Sequence, residues 1–208
     1  MRRSRIRLLS VLVAFLLAAV AYGRGSTPKE LVVNLKFAPQ EGVTSNAAQL
    51  PPSVLEKSIE IRVEDARKSS DPIVIGTGTG GDDRSFPIKA GSEITGYLKD
   101  TLTDLAKQWG AKVDGHPDRI LVVQVTRFFI DESNKALGSV YSTEVNLAWT
   151  LKDARGNKLA EGTGAGSTHR YGRAHSQDNI NEVLSDALKE AFANVMNDGN
   201  LHTAWGKK

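Results

Sequence analysis

Tyr141, Thr143, Val145, Leu147, Trp149 and Leu151 occupy every second position of a stretch whose intervening residues are Ser142, Glu144, Asn146, Ala148 and Thr150. A repeat of two is the signature of a strand with one buried face. After Lys152, the five residues Asp153-Ala154-Arg155-Gly156-Asn157 have turn chemistry, and Lys158 to Thr168 returns as a glycine-rich strand. The two runs form an antiparallel hairpin. Upstream, Ile120 to Ile130 is a dense run of β-branched and aromatic residues that reads as a central strand.

The rest of the chain fits around that sheet. Leu31, Val33, Leu35 and Phe37 alternate with Val32, Asn34 and Lys36, and Ile59, Ile61 and Val63 alternate with Glu60, Arg62 and Glu64. Both are strands with one apolar face. Residues 39–52 read as a loop. Ile73 to Ile75 is a short strand, and Gly78 to Ala90, broken by Pro87, is a loop or hairpin arm. Ile94, Tyr97, Leu98, Leu102, Leu105 and Trp109 recur at steps of three and four, with Ser92 as cap and Gly110 as stop. A second helix opens near Asp178 and carries the stripe Ile180, Val183, Leu184, Ala187, Leu188, Ala191, Phe192 and Val195.

These elements predict an α+β fold. A mixed, largely antiparallel sheet carries two amphipathic helices, each with its polar side in water, in a single domain. The strand at 59–65, the helix at 92–109 and the strand at 120–130 suit a right-handed crossover. The expected division is a signal peptide at 1–21, an N-terminal strand and loop at 22–49, the α+β domain at 50–198 and a flexible tail at 199–208.

The signal is read from its charge and length. Arg2, Arg3, Arg5 and Arg7 precede an uncharged run from Leu8 to Ala21. Ala19-Val20-Ala21 supplies the small-x-small pattern for cleavage after Ala21, with cleavage after Gly23 as the second choice. The other reading, an uncleaved anchor, meets an apolar run short of the roughly 20 residues a spanning helix needs. Removal of residues 1–21 takes away four Arg and no acid, so the formal charge falls from +3 to −1. Nucleic acid is thereby an unattractive partner. The protein is expected to be exported, periplasmic or secreted, with no stable span after cleavage. The 208 residues contain no cysteine, which excludes disulfides, thiol catalysis, thiolate-held metals and a lipidated N-terminal Cys.

Catalytic templates are missing: no G-x-S-x-G, no H-E-x-x-H and no G-K-[ST] occurs. Gly76-Thr77-Gly78-Thr79-Gly80-Gly81 matches the dinucleotide pattern in letters only. Asp82, Asp83 and Pro87 intervene before a helix can begin, and two acids repel phosphate. A glycine hairpin or bulge accounts for it. Gly162, Gly164 and Gly166 read as a thin strand lying close to other backbone. The stretch from Thr168 to Asp178 reads as a loop before a helix and carries His169, Arg170, Tyr171, Arg173 and His175. Arginine forks beside free helix N–H groups suit an anion or a partner. The histidines are six apart, which is no standard metal spacing. Asp65 and Arg67, at the end of a strand, either read a ligand or hold a turn. No cofactor or metal site is expected.

The layout resembles the YajG-like family of bacterial envelope proteins. The likeness runs from Leu50-Pro51-Pro52 and the strand Ser58 to Arg67, through Tyr97, Leu98 and Leu102 in a helix ending at Gly110. It continues in Ile120 to Val125, Val145-Asn146-Leu147, Asp153 to Lys158 and a terminal amphipathic helix, about residues 50–198. The resemblance implies a mixed sheet with two helices, a lipoprotein-type envelope location and no active-site residues to carry over. The absent cysteine departs from it and favours a soluble form. The functional expectation is a non-enzymatic envelope protein, an interaction or accessory domain with an envelope protein partner. The alternative is a small-ligand or anion-binding module using residues 168–178. A hydrolase without a recognisable template is a third class. The sequence leaves the oligomeric state open.

Overall fold

The computed structural model describes residues 28–40 and 47–207. The signal peptide and its cleavage site at Ala21 lie outside the described residues. The described residues form one mixed sheet with helices on one face: β1 (Leu31–Val33), α1 (Pro52–Leu55), β2 (Ser58–Asp65), β3 (Val74–Thr79), β4 (Ser85–Ala90), α2 (Ile94–Gln108), β5 (Lys112–Val113), β6 (Arg119–Lys135), β7 (Gly138–Asp153), β8 (Lys158–Gly172), α3 (Gln177–Met196) and α4 (Gly199–Gly206). The strand order runs β1-β4-β3-β6-β2-β5, and the far edge of β6 is taken by β7 and then β8. The long ladders β6–β7 and β7–β8 are antiparallel, as the hairpin pattern requires. β2 pairs parallel with β6, which the intervening helix α2 makes possible.

β6 organises the sheet because one of its edges is shared. β2 pairs with it from Ile59↔Arg119 to Asp65↔Val125, and β3 from Gly76↔Ile130 to Gly78↔Glu132. Neither reaches residues 126–129. Opposite this gap a bulge interrupts the β6–β7 register between Val125 and Arg127. The extra residue, Thr126, donates its hydroxyl to Asn146 O at 3.0 Å. A bulge reverses which side chains face the core. Leu121, Val123 and Val125 are buried before it; Phe128, Ile130 and Glu132 are buried after it.

The core lies between the sheet and the two long helices. Leu98, Leu102 and Leu105 of α2 and Ile180, Leu184, Leu188 and Phe192 of α3 are all buried. Trp109 stacks on Phe192 with ring centroids 5.5 Å apart. The thin return strand has its reason in α3. A Cβ at Gly164 would stand 2.5 Å from Ala191 O, and one at Gly166 would stand 2.1 Å from Ala187 O, so the helix rests directly on the strand backbone. On the opposite face of the sheet Gln124, Glu144, Thr163 and Ala165 are exposed.

Several expected boundaries move. Of the two readings of Gly78 to Ala90, loop or hairpin arm, the second is found: the stretch holds the end of β3, the turn and β4. Glu93, not Ser92, caps α2: its carboxylate accepts Gly96 N–H at 2.7 Å. Ser176, not Asp178, caps α3, which leaves Asp178 in the first turn where a negative charge suits the helix dipole. The expected flexible tail at 199–208 is corrected. Gly199–Gly206 folds as α4, capped by Asp198 with its carboxylate 2.7 Å from Asn200 N. Trp205 is fully buried, and burial of so large a side chain holds a helix of two turns that has little stability alone.

The N-terminal strand also ends early. Only Leu31 to Val33 pair, with β4. Residues 34–40 stay extended but lie along α3. Lys36 N–H donates to Asn181 Oδ1 at 3.1 Å, Ala38 N–H to Ser185 Oγ at 2.9 Å and Gln40 N–H to Asp186 Oδ1 at 2.9 Å. Leu35 and Phe37 pack against the core. The period of two reported an extended chain correctly, but half of its partners are helix side chains.

Candidate functional site

The residues singled out between 168 and 178 do not share a loop. β8 continues to Gly172, so His169, Arg170 and Tyr171 alternate across a strand. His169 Nδ1 is 3.0 Å from Ser142 Oγ, and Tyr171 is 56% exposed. Arg170 is drawn instead to the carboxylate of Glu182 on α3, forming an ion pair. Arg173 contributes its carbonyl, which accepts from the Tyr141 hydroxyl at 2.5 Å and from Asn179 Nδ2 at 3.1 Å. The first turn of α3 has Ser176 as its cap and Asp178 within it. Strand alternation therefore disperses the cluster that linear spacing suggested.

What the structure brings together is a knot around Glu132 and Tyr141, a directly opposed pair on β6 and β7. Glu132 is fully buried. Its Oε1 accepts His175 N–H at 2.7 Å, and His175 Nδ1 stands 3.2 Å from the same oxygen. The Tyr141 Oη accepts Ser176 N–H at 3.2 Å while donating to Arg173 O. His175 takes a left-handed backbone (φ 55°) and sets its ring edge-on to Phe86 at 5.2 Å. Burial pushes the Tyr141 phenol up to about 12, and the nearby Glu132 carboxylate reinforces the shift. The knot fastens the corner between β8 and α3 to the central hairpin. Sequence reasoning missed Glu132 and Tyr141 as polar partners. It ended the central strand at Ile130, five residues early, so the pairing of Glu132 with Tyr141 was out of sight.

Asp65 and Arg67 do meet. Arg67 Nε and Nη2 donate to the two Asp65 oxygens at 2.9 and 2.8 Å. The same guanidinium donates to Pro72 O at 2.6 Å and Val74 O at 3.2 Å. Its side chain is only 6% exposed. The hydrogen bonds from Arg67 hold the Asp65 carboxyl below the usual carboxylate range. Arg67 thus closes the 66–73 loop, the turn-holding role foreseen for such a pair.

That loop forms one wall of a cleft of about 530 Å³, whose other wall is β6 at 126–129. The cleft fills the gap between the end of β2 and the start of β3. Lys68, Val74, Arg127 and Phe129 line it with Arg67. Arg127 lies over the Phe129 ring, 5.0 Å from its centroid, and uses Nε to pair with Glu144. Sequence reasoning did not identify the cleft, although Thr126 and Arg127 gave a signal. Two consecutive polar residues break the alternation between Val125 and Phe128, as a bulge does. Among the described residues, no group of three or more His, Asp or Glu is placed to hold a metal, and no helix is long and apolar enough to cross a membrane.

Among solved structures, the chain is similar to protein XCC0632 from Xanthomonas campestris at 16% identity, covering 81% of this chain and 90% of that one with a TM-score of 0.42. It is similar to a second, uncharacterized protein at 15% identity, covering 82% and 97% with a TM-score of 0.47. A minor lipoprotein from Acinetobacter baumannii matches at 11% identity over 67% of this chain and 84% of that one, with a TM-score of 0.34. No curated protein matches. The sequence from 46 to 205 matches a family described as uncharacterized lipoprotein. The chain belongs to this YajG-like family of bacterial lipoproteins.

Proposed function

We propose that the chain is an exported, non-enzymatic domain of the cell envelope, an accessory protein that works by binding another envelope component in the periplasm. The observation that carries this reading is how its marked side chains are used. Arg170 is tied to Glu182, Arg67 to Asp65 and two carbonyls, and Glu132 to the backbone of the β8–α3 corner. Each holds two parts of the fold together. What faces solvent is the open face of the sheet and the cleft beside β6. Membership of a lipoprotein family and the basic, then apolar, N-terminus support the envelope location. The alternative anion site at 168–178 is less favoured, because Arg170 is already neutralised by Glu182.

The test has two arms. Fractionation with intact mass spectrometry is expected to find a periplasmic chain beginning at Tyr22. A full-length chain starting at Met1 in the cytosol overturns the location. A chemical turnover that is lost in Glu132→Gln while the thermal midpoint holds overturns the non-enzymatic reading.

A further inference from the structure

We propose that the tip of the β6–β7 hairpin touches a lipid bilayer, with Leu137 entering its surface and Tyr171, Lys135 and Arg173 lying among the headgroups. The inference deepens the envelope reading above and rests on it for which membrane is met.

The turn between β6 and β7 is Ala136-Leu137, closed by the pair Lys135↔Gly138. Two-residue hairpin turns favour Asn, Asp or Gly. Here the second turn position carries a leucine that is 93% exposed. Neither core packing nor turn chemistry asks for it. Tyr171 lies close by. A Cβ at Gly138 would stand 2.8 Å from Tyr171 Oη and 3.0 Å from its Cζ, so the phenol end rests over that glycine. Tyr171 is nevertheless 56% exposed. A leucine on a convex turn fits a partner that yields around it, whereas a rigid protein would have to offer a matching pocket. A tyrosine suits a boundary that is apolar on one side and wet on the other.

The charges around the tip suit headgroup phosphates. Lys135 on β6 and Arg173 just after β8 are exposed and, among the described residues, have no ion-pair partner. The β3–β4 turn at 80–84 lies at the same end of the sheet, since Gly78 pairs with Glu132. There Asp82 is tied to Arg84. Asp83, and Asp178 in the first turn of α3, carry the opposing sign, so the contact is weak and reversible rather than an anchor. The chain also joins the fold from this end. β1 runs parallel to β4 with Leu31 opposite Ile88, so it is entered from the side of the β3–β4 turn. The basic and apolar run at 2–21 lies upstream of that entry, and the sequence has no cysteine to carry a lipid. A tip contact supplies a hold that a thiol-linked lipid does not give here.

The absence of native cysteine makes the test direct. In the exported protein, Leu137→Cys and, as a control on the open face, Thr163→Cys are each labelled with an environment-sensitive fluorophore. Both are titrated with phosphatidylcholine vesicles, with and without phosphatidylglycerol. Emission from position 137 is expected to shift to the blue as vesicles are added, and emission from position 163 to stay. In co-sedimentation, Leu137→Ser is expected to bind about tenfold more weakly than the unaltered protein. Lys135→Ala and Arg173→Ala should each lose about fivefold on the anionic vesicles and little on the neutral ones, a difference that added salt reduces. Asp83→Asn should bind the anionic vesicles more tightly, and Asn tolerates the left-handed backbone of that position (φ 60°). A label at 137 that stays in water with both vesicles, or undiminished sedimentation of Leu137→Ser, overturns the proposal. So does a label that moves only as the protein concentration rises, which makes a second copy the occupant. Leu137 is almost wholly exposed, so its replacement leaves the core untouched. Vesicle binding is read without reference to where the chain resides, so this proposal and the envelope reading fail separately.

Discussion

The carboxamide of Asn181 serves Lys36 as a neighbouring strand would. Its Oδ1 accepts Lys36 N–H at 3.1 Å while its Nδ2 donates to the Asn34 carbonyl at 3.1 Å. Ser185 repeats the grip, accepting Ala38 N–H at 2.9 Å and reaching Lys36 O at 3.4 Å. The match works because two residues of extended chain advance about 6.6 Å and four residues of helix about 6 Å. A helix can therefore imitate a sheet edge for a short distance.

Asn181→Ala leaves the Lys36 N–H and the Asn34 carbonyl without these partners at a partly buried site. The expected loss of unfolding free energy is about 1–3 kcal/mol, read from urea denaturation. Cleavage of residues 34–40 in limited proteolysis should rise in parallel. Unchanged protection there would mean that Leu35 and Phe37 hold the segment without the ladder.

Alkaline stability should follow Tyr141. Burial raises its folded pKa from the ordinary phenol value near 10 to about 12, so the native state favours the neutral phenol. By linkage, the stabilisation is complete below pH 10 and is lost as the pH rises from there toward 12. Tyr141→Phe is expected to be less stable at neutral pH and to have a flatter stability profile between pH 10 and 12. Denaturant midpoints across that interval decide the matter.

Gly166 lies directly against the backbone of α3. A methyl group there would meet Ala187 O at 2.1 Å and Ala191 N at 2.6 Å, both helix backbone that cannot rotate away. Gly166→Ala should cost about 1–3 kcal/mol by overpacking, or more if the helix cannot shift. Gly156→Ala gives a comparison with a different cause, because that glycine has open space but a φ of 89°. Its smaller penalty should reflect backbone strain alone.

Trp205 anchors the last helix. Its side chain is fully buried, and α4 packs against α1 and β8. Trp205→Ala should remove about 3–5 kcal/mol, a core-sized loss from a position three residues from the end of the chain. A change under about 0.5 kcal/mol would show that the terminal helix is not part of the cooperative unit.

The hairpin β7–β8 and the stripes of α2 and α3 were legible because periodicity records which side of an element is buried. The alternation from Tyr141 to Leu151 matches the buried face residue by residue. Glycine texture announced a close backbone neighbour correctly at Gly164 and Gly166, though not that it is α3, while Gly162 instead meets the Trp149 ring. Asp65 and Arg67 were legible as a pair because they are two residues apart on one chain. The 168–178 cluster was not, because alternation along β8 separates residues that are adjacent in sequence. Trp205 and Glu132 escaped notice for a related reason. A helix of two turns and the far end of a strand each carry too few residues to establish a period.

By itself, then, the sequence determined local form: where strands and helices run, which side each buries, and the charge balance left once four arginines are set apart. These follow from side-chain chemistry at short separations. Only the tertiary structure decided which elements share an edge. Two consecutive strands, β2 and β3, both pair with the same side of β6, and their pairings leave residues 126–129 between them. No local pattern encodes that gap, because it depends on where each partner strand ends. The knot of Glu132, Tyr141 and His175 is likewise a product of register, since a buried carboxylate finds its donors only after β6, β7 and the turn before α3 are brought together.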